Sequence, residues 1–127
     1  MYRVFFDGAC KQGLIGYGFV VYKEDEDIYS EHGQYKVKSA TNNVAEYTAL
    51  IKSIKYCVTN GITHVQFIGD SLMVINQMLD LYKVLGGDYV DHYKAAKELI
   101  KDIEKPQFKW VPREKNKIAD KLSKVRL

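Results

Sequence analysis

The chain has 127 residues, 46% of them hydrophobic and 28% charged, with a formal net charge of +3. That is the size of a single domain, residues 1–127, with enough apolar content to bury a core without disulfides. No apolar run approaches a membrane span, Met1 leads directly into strand-like sequence, and Cys10 and Cys57 show neither CxxC nor zinc spacing; the expectation is a cytoplasmic, reduced protein with no membrane partner.

Tyr2-Arg3-Val4-Phe5-Phe6 is almost unbroken apolar sequence, the pattern of a strand covered on both faces, and it stops at Asp7-Gly8-Ala9. Lys11 to Gly16 reads as a turn, Tyr17 to Lys23 as a second strand, Glu24 to Asp27 as a charged hairpin tip and Ile28 to Val37 as a third strand. These three form an antiparallel meander. Ser39-Ala40-Thr41-Asn42-Asn43 then leads into an amphipathic helix, with Tyr47, Leu50, Ile51, Ile54, Cys57 and Val58 at helical spacing and a stop at Asn60-Gly61. His64 to Asp70 reads as a buried fourth strand, Ser71 to Tyr82 as a short helix, and Gly86-Gly87 as a break. Asp88 to Glu104 predicts a longer helix ended by Pro106, Gln107 to Val111 a fifth strand, and Arg113 to Leu127 a final helix. The order predicts an α/β fold: a five-stranded mixed sheet with strands 1–3 antiparallel, strands 4 and 5 parallel to strand 1, and helices on both faces.

Charge is unevenly placed. From Lys101 to Leu127, nine Lys/Arg stand against four Asp/Glu, which suits a polyanionic partner as well as it suits a solvated helix face.

Four carboxylates carry the chemistry. Asp7 ends a central strand, where a simple Asx turn is the plainer reading. Asp70 follows Gly69 in the same way, so parallel strands 1 and 4 would bring both to one carboxyl edge; Asp70-Ser71 also reads as a helix cap. Glu46 lies on the helical row of Leu50, Ile54 and Cys57, facing the sheet, although Asn43-x-x-Glu46 has capping-box spacing. Asp120 stands between Ile118 and Leu122, which mark a buried face, and at the right spacing to pair with Lys124. Four such groups at one edge would repel one another unless a cation sat among them. An all-oxygen set selects Mg²⁺ or Mn²⁺ over zinc, and phosphodiester hydrolysis is the chemistry such a site supports.

Asp7-Gly8-Ala9, Thr41-Asn42-Asn43-x-x-Glu46, Gly69-Asp70-Ser71 and Trp110-Val111-Pro112-Arg113-Glu114-x-Asn116-x-x-Ala119-Asp120-x-Leu122 resemble, in order, the motifs of type 1 ribonuclease H, in its compact archaeal and bacterial form. The resemblance implies a ribonuclease H-like fold and cleavage of the RNA strand of an RNA/DNA hybrid, leaving 5′-phosphate and 3′-hydroxyl ends. It implies two Mg²⁺ or Mn²⁺ ions, with Asp7 bridging both, Asp120 on the ion that activates water, and Glu46 and Asp70 on the ion beside the leaving oxygen. Asn42 and Asn43 would meet the minor groove and Thr41 a DNA phosphate. Gly8, Ala9, Cys10, Ser71 and Arg113 complete the expected substrate contacts, and no obligate protein partner is implied beyond a monomer.

Three departures stand out. Leu72 occupies a position where the family often has Gln, the loop from Pro112 to Ala119 has no His, and Lys83-Val84-Leu85-Gly86-Gly87 is too short for a basic protrusion. His32, His64 and His92 are expected in structural or surface roles. Phe108 and Trp110 are read as core, and Tyr82 and Tyr89, beside the glycine break, as possible nucleic-acid contacts. Rival readings are another nuclease of the same architecture, integrase- or resolvase-like, and a non-catalytic hybrid-binding module.

Overall fold

A computed structural model describes residues 1–127. Five strands make one mixed sheet: β1 (Tyr2–Lys11), β2 (Leu14–Lys23), β3 (Glu26–Lys36), β4 (His64–Gly69) and β5 (Lys105–Trp110), in the order β3-β2-β1-β4-β5. The β1–β2 and β2–β3 pairs are antiparallel, whereas β4 is parallel to both β1 and β5. The helices are α1 (Asn42–Thr59), α2 (Leu72–Met78), α3 (Val90–Ile100) and α4 (Lys117–Ser123), with a single 3₁₀ turn at Arg113–Lys115. β1 is therefore the central strand, as its apolar run implies.

The two sheet faces carry different helices. Val4, Phe6, Phe19, Val21, Val65 and Phe67 join Tyr47, Leu50, Ile54 and Cys57 of α1 in one cluster of 22 buried hydrophobic residues. On the opposite face the sheet narrows to Gly16 and Gly18, and α4 lies against them. Asp7 pairs in register with Gly18, and cross-strand partners share a face, so the Asp7 side chain leaves β1 on the α4 side.

Several boundaries differ from the sequence reading, each for a local reason. β1 does not stop at Asp7, because the antiparallel partner β2 carries it on to Lys11; only the parallel pairing with β4 ends there, at Phe5 with Ile68. Asp7 is thus the tip of the strand as seen from β4 alone. Pro106 does not end a helix but sits within β5, an edge strand whose outer side needs no backbone donor. The helix before it is shorter, Val90–Ile100, and the last helix begins only at Lys117, after the 3₁₀ turn. Ile118 is 53% exposed, so it does not mark the buried face of α4; Ala119 and Ser123 do. Trp110 is also exposed, while Phe108 stacks on Phe67. Tyr89 stacks on Tyr47 and is buried, and its hydroxyl accepts from Gln77 Nε2 at 3.0 Å.

Candidate active site

At the carboxyl edge of β1 and β4 lies a polar cleft of about 370 Å³, lined by Asp7, Gly8, Ala9, Cys10, Asn42, Asn43, Glu46, Asp70, Ser71, Arg113, Asp120 and Lys124. Each acidic residue arrives from a different element. Asp7 comes from β1, Glu46 from the first turns of α1, Asp70 from the link between β4 and α2, and Asp120 from α4. One carboxylate oxygen each from Asp7, Glu46 and Asp70 lies within 4.8 Å of the others. Asp120 borders the same cleft outside that trio and holds an ion pair with Lys124 at 3.2 Å. The cleft residue and the surface pairing foreseen for Asp120 are therefore both present in the same side chain.

Local sequence explains how Glu46 and Asp70 are freed for the cleft. The cap of α1 is Thr41, whose hydroxyl accepts from Val44 N at 3.2 Å, and not Asn43. The expected Asn43-to-Glu46 capping box does not form, because the helix starts two residues earlier than that box requires. Glu46 instead reaches across to β1, where its Oε1 accepts from Gly8 N at 3.3 Å. Asn42 and Asn43 carry no capping duty, and both border the cleft. Thr41 lies outside it, with its hydroxyl donating to Asp88 Oδ1 at 3.3 Å. Ser71 caps α2 by accepting from Val74 N, which leaves the Asp70 carboxylate unused by its helix.

Burial pushes the Asp7 carboxyl up to about 6; the Asp70 charge adds to this and Glu46 partly opposes it. Glu46 is raised well above the ordinary carboxylate range, first by burial and then by the adjacent Asp7 and Asp70 carboxylates. Both groups therefore hold their protons to higher pH than an ordinary carboxyl does. Its Oε2 is buried without any donor in the protein. An orphaned carboxylate oxygen beside two more carboxylates, with no histidine or thiolate in the trio, fits a hard divalent cation.

One residue of the cluster escaped sequence reasoning as a functional group. Asn116, 1% exposed, donates from Nδ2 to Asp70 Oδ2 and to Phe6 O, both at 2.9 Å. Trp110 Nε1 also donates, at 3.1 Å, to Asp70 O. Both residues stand in the last quoted motif, but nothing in their local spacing shows that they reach Asp70.

Comparison with known proteins agrees with this geometry. A family model described as reverse transcriptase-like matches residues 5–125. The bifunctional protein Rv2228c of Mycobacterium tuberculosis is 35% identical over 111 residues, covering 87% of this chain and 30% of that protein. Ribonuclease HI of Halobacterium salinarum is 31% identical over 123 residues, 95% of this chain and 61% of that protein. The chain thus spans under a third of the mycobacterial relative and about three-fifths of the halobacterial one. Among solved structures, the N-terminal RNase H domain of Rv2228c has a TM-score of 0.87 at 32% identity, covering 96% of this chain and 95% of that one. RNase H1 from Halobacterium salinarum has a TM-score of 0.88 at 27% identity, covering 96% and 93%. LC11-RNase H1, solved in complex with an RNA/DNA hybrid, shares the fold with a TM-score of 0.86 at 24% identity, covering 96% and 93%. With a family model that matches residues 5–125 and a backbone shared with RNase H structures over nearly its whole length, this chain belongs to the type 1 ribonuclease H family within the reverse-transcriptase-like group.

Proposed function

We propose that the chain is a metal-dependent endoribonuclease that hydrolyses the RNA strand of RNA/DNA hybrids, leaving 5′-phosphate and 3′-hydroxyl ends. The observation that carries this reading is the packing of Asp7, Glu46 and Asp70 within 4.8 Å at the open edge of the sheet, with a buried Glu46 oxygen that no protein donor satisfies. Asp7, Glu46, Asp70 and Asp120 would hold two Mg²⁺ or Mn²⁺ ions, Asp7 serving both. Such ions supply Lewis acidity for the attacking water and the departing ribose oxygen.

The remaining cleft residues bind and orient. Asn42 and Asn43 stand at the cleft with free amides, suited to the minor groove of a hybrid, where the 2′-hydroxyl distinguishes RNA from DNA. Arg113 and Lys124 give the same cleft two cations for backbone phosphates. The backbone of Gly8, Ala9 and Cys10 and the Ser71 hydroxyl complete its wall. Thr41 touches the substrate only if a strand passes over the α1 cap, as expected for a DNA phosphate. Both cysteines are free, and burial pushes the Cys57 thiol up to about 12, which makes it a packing group and not a nucleophile.

The deciding experiment incubates an end-labelled RNA/DNA hybrid with Mg²⁺, Mn²⁺ or chelator, beside single-stranded RNA and both pure duplexes. Cation-dependent scission of RNA in the hybrid alone is expected. An intact hybrid under both cations would remove the nuclease reading, and cutting confined to DNA duplexes or junctions would move the chain to the resolvase-like alternative.

A further inference from the structure

We infer that Asn116 is a positioning residue that fixes the Asp70 carboxylate relative to Asp7, and so sets the spacing of the cation-binding oxygens; this rests on the nuclease reading above. Three observations carry it.

The first is geometric. Parallel pairing of β1 with β4 ends at Phe5 and Ile68, and beyond that point the ladder no longer holds the two acidic termini at a fixed distance. Asn116 takes over. Its Nδ2 group has two hydrogens and spends one on Phe6 O, the carbonyl just before Asp7, and the other on Asp70 Oδ2. The amide orientation is settled by its surroundings, because a flipped amide would set oxygen against two acceptors.

The second is what the side chain does not do. Asn116 is the cap residue of α4, yet it makes no side-chain cap bond, whereas Thr41 and Ser71 both cap their helices. Its backbone carbonyl accepts from Asp120 N at 3.1 Å, the ordinary first bond of a helix, so what distinguishes Asn116 is the side-chain pair of bonds to Phe6 O and Asp70 Oδ2. A cap bond worth about 1 kcal/mol is forgone for the sake of the cleft.

The third is an imperfection. Asn116 Oδ1 is buried and meets no donor in the protein. A side chain kept only to pin α4 to the sheet would be better served by a residue without that orphaned acceptor. A group that orients a ligand carboxylate tolerates it for the two donors on the same amide.

The test compares wild type with Asn116→Ser by calorimetric titration of the metal-free protein with Mn²⁺, alongside kcat and KM on the labelled hybrid and thermal melts in chelator. Asn116→Ser is expected to weaken Mn²⁺ binding and lower kcat by about 10- to 100-fold each, with KM for hybrid moving by no more than about twofold. Mn²⁺ affinity and kcat both within about threefold of wild type, with only the melting temperature lowered, would reduce Asn116 to a structural pin and overturn the proposal. Should the serine variant be unfolded at the assay temperature, Asn116→Leu, which is close in shape and removes the donors without adding charge, is read by the same titration. If wild type binds Mn²⁺ but leaves the hybrid whole, the nuclease reading falls, and the Mn²⁺ shift alone still decides the role of Asn116.

Discussion

Asp7 is 3% exposed and Glu46 7%, and a carboxylate in either place is costly unless something positive joins it. In the metal-free protein these groups therefore oppose folding while they serve the site. Asp7→Asn removes a charge from the cluster and keeps an oxygen that can still accept from Gly8 N, the bond Asp7 Oδ1 makes at 2.9 Å. It should lower cation-dependent cleavage about 100- to 1000-fold, equivalent to the several kcal/mol that positioned charge supplies in such reactions. The same variant should melt higher than wild type in chelator; retained activity, or a lower melting temperature without cation, would contradict the clustered-carboxylate picture. At this scale Glu46 was legible because its row on α1 is otherwise apolar. Asn116 was not, because both of its acceptors lie far away in the chain, 110 and 46 residues from it, and no periodicity encodes such a contact.

Two close approaches set where these side chains stand. A Cβ on Gly8 would lie 2.2 Å from the Ala45 carbonyl carbon and 2.4 Å from Glu46 N, so α1 packs directly on the β1 backbone where Glu46 enters the cleft. On the other face, a Cβ on Gly18 would meet Leu122 Cβ at 2.4 Å and Ser123 N at 2.7 Å, against the helix that carries Asp120. Backbone cannot give way as a flexible side-chain end can, so Gly8→Ala should destabilise by about 3 kcal/mol and depress cleavage by moving Glu46. Gly18→Ala should act through α4, disturbing Asp120 and leaving the Gly8–Glu46 contact in place. Urea melts and kcat measured together check both: a Gly8→Ala protein with unchanged stability and turnover would show that α1 can retreat without consequence. The elements themselves were mostly readable, since α1 and β4 follow their apolar periods closely. The ends of β1 and α4 were not. β1 continues because β2 keeps pairing with it, and α4 starts late because Pro112 to Asn116 forms its own turn.

Across the molecule, topology gathers acidic residues from four elements at one edge, and composition alone would describe only a mildly basic chain. This gathering has a signature in the pH dependence of folding. In the unfolded chain Asp7 titrates near its ordinary 3.8, while in the folded protein burial moves it to about 6, and Glu46 is raised as well. Between those values the folded state binds more protons than the unfolded state, so stability falls as pH rises. The shift on Asp7 corresponds to about 3 kcal/mol, absent below pH ~4 and complete above pH ~6. Other groups titrate in the same window, so the informative quantity is the difference between wild type and Asp7→Asn. In chelator that gap in melting temperature should open from near zero at pH 4 to roughly 10 °C at pH 7, with the variant the more stable. Added Mn²⁺ at about 100 times its dissociation constant should return about 2.7 kcal/mol to the wild type alone and close most of the gap. A gap that stays constant from pH 4 to 7, or that Mn²⁺ leaves untouched, would mean that Asp7 is neither strained by burial nor relieved by a cation.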